Sequence, residues 1–114
     1  MINKNMANSL FARNLTSIDD LMPAELNLIF AVADQMKKLV ESKGGDQRLQ
    51  GKILACLFFE PSTRTFSSFI SAMQRLGGGI IPLNGMQNTS IAKGESFKHT
   101  IRVFSQYADC LVIR

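Results

Sequence analysis

The chain has 114 residues, a formal charge of +4, and a composition that is 46% hydrophobic and 19% charged. That is enough for one compact folded domain, and it excludes a disordered or fibrous chain. The Lys and Arg residues are scattered without a basic run, so the positive balance favours a small anionic ligand over nucleic acid.

Cys56 and Cys110 both fall inside apolar, strand-like runs, where a thiol behaves as a small core residue. Two such cysteines without CxxC spacing indicate neither a disulfide nor structural zinc, and no other metal-ligand set or cofactor motif is present. The longest apolar run, residues 53–59, is far short of the roughly 20 residues that span a bilayer. Residues 1–9 are polar and lack the apolar core of a secretory signal, so a cytoplasmic protein without membrane contact is expected.

In chain order, residues 1–12 carry little pattern and read as a loose tail. A short helical turn is predicted after Ser17, with Ser17 as its cap and Asp19 and Asp20 in its first turn. Pro23 suits the first position of a longer helix, with Glu25 near its positive end and Lys37, Lys38 and Lys43 toward its negative end. Met22, Leu26, Ile29, Ala33, Met36 and Val40 form its predicted apolar stripe, a core face more than a partner face, and Gly44-Gly45 stops it.

Residues 53–59 are continuously apolar and predict a central strand buried on both faces. Behind them a helix over about 65–76 places Phe66, Phe69, Ile70, Met73 and Leu76 on one side and ends at Gly77-Gly78-Gly79. Residues 80–83 read as a short strand, with Pro82 favouring an edge or a strand end. A polar loop over 84–95 follows, then a helix over about 96–107 with Phe97, Ile101, Phe104 and Ala108 as its buried stripe. Residues 111–113 close the chain as another buried strand before Arg114.

Strands alternating with helices of this length predict an α/β fold, a parallel sheet with helices on both faces, of the doubly wound kind. Ligands in such sheets gather at the carboxyl ends of the strands. The loop after the first strand, the loop near Ser90 and Arg114 all belong to that edge.

The segment Leu57 to Thr65, LFFEPSTRT, carries the chemistry. It breaks at Pro61 and sets Ser62, Thr63, Arg64 and Thr65 where a helix begins and its first N–H groups lack partners. Hydroxyls, a guanidinium fork and free amides together suit a phosphate or carboxylate. The same spacing also fits a helix whose Ser62 or Thr63 is simply a cap, with Arg64 in solvent. Glu60 beside an anion would repel it unless turned away, which suits a structural role. Thr89, Ser90 and Lys93 repeat the pattern of hydroxyls and positive charge in a loop that composition alone reads as surface. His99 lies on a solvated helix face without a catalytic partner. No Ser-His-Asp, paired-carboxylate or metal-ligand arrangement assembles from the sequence, so any catalysis is positional and electrostatic.

FFEPSTRT with Ser68-Phe69, then AMQRLGG at 72–78, SIAKGES at 90–96, and TIRVFSQYAD followed by VIR, closely resemble the amino-terminal half of the aspartate carbamoyltransferases, within the aspartate/ornithine carbamoyltransferase family. The resemblance spans nearly everything after the first dozen residues, and the Glu60-Pro61 and KGES forms are more similar to the aspartate enzymes than to the ornithine ones.

It implies that residues 13–114 are the amino-terminal part of a carbamoyl-phosphate-binding domain. It also implies transfer of carbamoyl from carbamoyl phosphate to the amino group of L-aspartate, giving N-carbamoyl-L-aspartate and phosphate in pyrimidine biosynthesis. By position, Ser62, Thr63, Arg64 and Thr65 match the phosphate-gripping segment, with Thr65 also near the carbamoyl oxygen. Arg114 matches an arginine touching both phosphate and carbamoyl oxygen. Ser90 and Lys93 match residues that reach the neighbouring subunit's site in a homotrimer, and no cofactor is implied.

Phe66 stands where the family commonly has a second arginine. Family members are also much longer, with a histidine and a glutamine near the carbamoyl group and an aspartate-binding domain after the position of Arg114. The chain is therefore expected to be an amino-terminal fragment that turns over substrate poorly alone, with residues 111–113 left uncovered and prone to self-association. Two other functions stay open: a non-catalytic phosphate-binding or assembly module, and a carbamoyltransferase with another amine acceptor.

Overall fold

The computed structural model describes residues 9–85 and 94–114. They form two compact units, Met1–Gly44 and Gly45–Arg114.

In the first unit Ser17 caps a 3-10 turn, Ile18–Asp20, its hydroxyl accepting from the Asp19 amide at 3.2 Å. Asp20 folds back to accept from the amides of Thr16 and Ser17, which holds its carboxyl below the usual range. Helix α1, Pro23–Lys43, starts on the predicted proline and ends where Gly44 adopts φ 79° and donates to the Val40 carbonyl at 2.9 Å. A left-handed residue suits glycine, which has no Cβ to crowd the preceding carbonyl.

Of the predicted stripe of α1, Leu26, Ile29, Met36 and Val40 are half-buried and two residues are not. Met22 is exposed because it is the extended N-cap residue and shares no helical face, and Ala33 is exposed too. Leu28 is the buried apolar position, with Val32, Met36 and Leu39 half-buried along the same side.

Glu25 does more than favour the helix dipole. Only 5% of it is exposed, and its carboxylate accepts from the Met22 amide at 2.9 Å, the Ser9 hydroxyl at 2.9 Å and the Arg13 guanidinium at 2.7 Å. Arg13 donates onward to the Asp20 carbonyl, tying the turn to the helix start. The Arg13 hydrogen bond, then those from Met22 and Ser9, hold the Glu25 carboxyl down to about 2 from an ordinary 4.5. A depressed carboxyl stabilises the folded state above its unfolded pKa and loses that contribution as pH falls toward the folded one. Thermal unfolding of the wild type and of Glu25→Gln should therefore differ by a constant amount at neutral pH, and the gap should close between about pH 5 and 2. A gap that does not change with pH would show that the Glu25 charge contributes nothing.

The second unit is a three-stranded parallel sheet in the order β2-β1-β3, with β1 Ile53–Phe58, β2 Gly79–Asn84 and β3 Cys110–Ile113. Successive strand residues face opposite sides, so burial of every residue from Leu54 to Phe58 means that both faces are covered at the centre. Helix α2, Arg64–Arg75, packs on β1 and β2, while helix α3, Phe97–Tyr107, packs on β1 and β3. Pro82 lies in β2 at one edge of this sheet, opposite Cys56, as a residue without an N–H requires.

The loop before β1 lies against the end of α2, where the Asp46 and Leu49 amides donate to the Arg75 and Leu76 carbonyls at 2.9 and 2.8 Å. Gly45 is obligatory there, because a Cβ at that position would stand 1.9 Å from the Arg75 carbonyl oxygen.

Four predicted burials are corrected. Met73 is the buried residue of α2, with Phe66, Ile70 and Leu76 half-buried, but Phe69 is exposed. In α3 Thr100 is the buried position, its hydroxyl donating to Glu95 at 2.6 Å, whereas Phe97 is half exposed and meets Phe59 edge to face at 4.9 Å. Cys110 is exposed and Ile113 is 45% exposed, because β3 pairs only with β1 among the described strands. Cys56 is buried as expected, and burial pushes its thiol up. Among the described residues no helix is long and apolar enough to cross a membrane.

Candidate functional site

All three strands run the same way, so their carboxyl ends form one edge. The residues just past those ends, 59–63 after β1, Gly85 after β2 and Arg114 after β3, meet there. Strand order changes direction around β1, since β2 lies on one side of it and β3 on the other. That is the topology that opens a ligand crevice at this edge.

Arg114 continues the β3 ladder by one residue, its N–H donating to the Leu57 carbonyl at 3.0 Å and its carbonyl accepting from Phe59 at 2.8 Å. With its backbone so held, the guanidinium reaches across the end of β1 and donates through Nη1 to the Ser62 hydroxyl at 3.1 Å. Its Nε lies 3.8 Å from the Glu60 carboxylate. Glu60 is thus turned toward Arg114, and an exposed pair at that separation is worth little, so the guanidinium stays open to a better acceptor.

Thr63 is the N-cap residue of α2 by position, yet it makes no side-chain capping hydrogen bond. Its carbonyl takes the first helical bond, from Ser67 at 3.1 Å. Capping therefore does not consume the Thr63 hydroxyl, although Arg64 is exposed to solvent as the simple-cap account expects. Arg64 and Thr65 are the first two residues of α2 and are exposed. The opening N–H groups of a helix have no acceptor within it, and the positive end of the helix dipole adds to them. Phe66, the position where an arginine is common in the resembled family, packs its ring edge-on against Phe58 at 5.4 Å. The start of α2 is braced there by the core and not by charge.

The structure thus brings Ser62 and Arg114 into contact and sets Thr63, Arg64 and Thr65 beside them in sequence at the helix start. Ser90 and Lys93 lie outside the described residues. His99 is exposed, and its backbone N–H donates to the Ser96 cap at 3.2 Å, so the solvated position predicted for it holds.

Sequence reasoning missed one participant. Asn84, the last residue of β2, accepts from the Ser62 N–H at 3.0 Å through Oδ1 and donates to the Ser62 carbonyl at 2.8 Å through Nδ2. Its only sequence signal was an amide side chain at a strand end, in the first position of a polar loop.

A profile described as the carbamoyl-phosphate-binding domain of aspartate/ornithine carbamoyltransferases matches residues 13–114. The chain belongs to the aspartate/ornithine carbamoyltransferase family. It is 46% identical over 102 residues to the aspartate carbamoyltransferase catalytic subunit of Thermoplasma acidophilum, an alignment covering 90% of this chain and 33% of that protein. It is 48% identical over the same length to the Methanopyrus kandleri subunit, with the same coverage. Among solved structures it is similar to the Trypanosoma cruzi aspartate transcarbamoylase in complex with carbamoyl phosphate and aspartate, with TM-score 0.85 and 39% identity over 93% of this chain and 35% of that one. The chain spans about a third of the length of these carbamoyltransferases. The α/β fold with a parallel sheet is therefore the family's fold, and the edge described above lies in its carbamoyl-phosphate-binding part.

Proposed function

We propose that this chain supplies the carbamoyl-phosphate half of an aspartate carbamoyltransferase site, in a protein that makes N-carbamoyl-L-aspartate and phosphate for pyrimidine biosynthesis. The observation that carries the reading is the contact of Arg114 with Ser62 across the end of β1, beside a helix start whose cap hydroxyl is uncommitted. Ser62, Thr63, Arg64, Thr65 and Arg114 then grip the phosphate, with Thr65 and Arg114 also reaching the carbamoyl oxygen.

The arrangement suits acyl transfer without a covalent intermediate. An uncharged amine attacks the carbamoyl carbon, negative charge grows on the carbamoyl oxygen and on the departing phosphate, and fixed donors and cations stabilise both. In the same reading Lys93 and Ser90 of a neighbouring copy in a trimer add charge and a hydroxyl, and the protein works in the cytoplasm. Aspartate as acceptor rests on the named relatives, because every site residue of this chain serves the donor.

The test is an amide chemical-shift titration of the chain with carbamoyl phosphate. Saturable shifts over residues 62–66 and at Arg114, with none at the opposite edge of the sheet around Lys52 and Asp109, are expected. A folded sample without a local response at that edge would overturn the reading.

A further inference from the structure

We propose that Asn84 is a positioning residue for carbamoyl-phosphate binding, holding Ser62 in place through its peptide groups while touching no ligand itself. This rests on the carbamoyl-phosphate reading above.

Pro61 takes the chain out of the sheet after β1, so the N–H and C=O of Ser62 lie beyond the ladder and need partners elsewhere. One carboxamide supplies both, donating to the carbonyl and accepting from the N–H of a single residue, as a neighbouring strand would. Two simultaneous bonds fix the orientation of that residue where one would allow it to pivot.

Asn84 can reach because β2 is in register with β1. It stands opposite Phe58, and the next residue, Gly85, donates to the Phe58 carbonyl at 2.6 Å, which anchors the backbone carrying the amide. Ser62 is then held from two strands at once, by Asn84 at the end of β2 and by Arg114 just past the end of β3. Its backbone N–H is committed to Asn84. The Ser62 hydroxyl, which accepts from Arg114, keeps its O–H to donate to an anion, and Asn84 fixes the backbone that carries it.

The experiment measures carbamoyl-phosphate affinity of the whole chain for wild type, Asn84→Ala, Ser62→Ala and the double variant, together with amide exchange at Ser62. Asn84→Ala should weaken binding about tenfold, the loss of two placing hydrogen bonds, and should speed exchange at Ser62 while leaving the β1 amides protected. Asn84→Ser, which stays polar but cannot span the gap, should behave alike. Because Asn84 acts through Ser62, the double variant should bind no more weakly than the poorer single variant. Affinity unchanged in Asn84→Ala, or losses that multiply in the double variant, would overturn the positioning role and leave the carbamoyl-phosphate reading standing. Absence of binding by the wild type would overturn that reading, and this inference with it.

Discussion

Replacing Arg64 by alanine is expected to weaken carbamoyl-phosphate binding by about 2–3 kcal/mol, roughly 30- to 150-fold in Kd. In the structure Arg64 is exposed at the first position of α2, beside the open amides of the helix start. A bound phosphate at that point would gain a planar fork with two parallel hydrogen bonds as well as the helix end. Because the guanidinium is exposed before binding, its removal should leave the unfolding midpoint unchanged, which separates a ligand role from a folding role. Calorimetric titration of Arg64→Ala and Arg64→Lys checks both points. Lysine keeps the charge but not the fork, so it should recover only part of the loss. An affinity for Arg64→Ala within twofold of wild type would remove Arg64 from the site.

Phe58→Ala should cost about 3–5 kcal/mol of folding stability, a large part of the roughly 5–15 kcal/mol that a domain commonly possesses. Phe58 is the last residue of β1, 1% exposed, and its ring is the surface on which Phe66 packs. Its loss would open a cavity under the start of α2, so the same change should also loosen the phosphate segment. Urea unfolding followed by the β1 amides measures the first effect. Ile113→Ala, at a 45% exposed position, is the comparison and should cost well under half as much. Equal costs would mean that the core is not centred on β1.

Several features of this protein follow from the sequence alone, because each is a local property. The continuous apolar run at 53–59 reads as a strand covered on both sides, and residues 53–58 of it are the central strand. Ser17 caps a helical turn, Pro23 opens α1 and Gly44 closes it, since each supplies a hydrogen bond or a backbone angle needed within a few residues. The Ser-Thr-Arg-Thr run after a broken strand falls at the start of α2 for the same reason: a chain that leaves the sheet at a proline can begin a helix within a few residues, and helix starts leave amides open wherever they occur.

Tertiary structure decided what spacing could not express. Exposure of Phe69, Phe97 and Cys110 depends on which side of a helix or sheet meets a neighbour, and apolarity alone does not encode that. The hydrogen bonds that shape the site join residues 22 and 52 positions apart, Ser62 with Asn84 and Ser62 with Arg114. They exist because the strand order β2-β1-β3 sets two distant strand ends on either side of one loop, and only the folded sheet creates that adjacency.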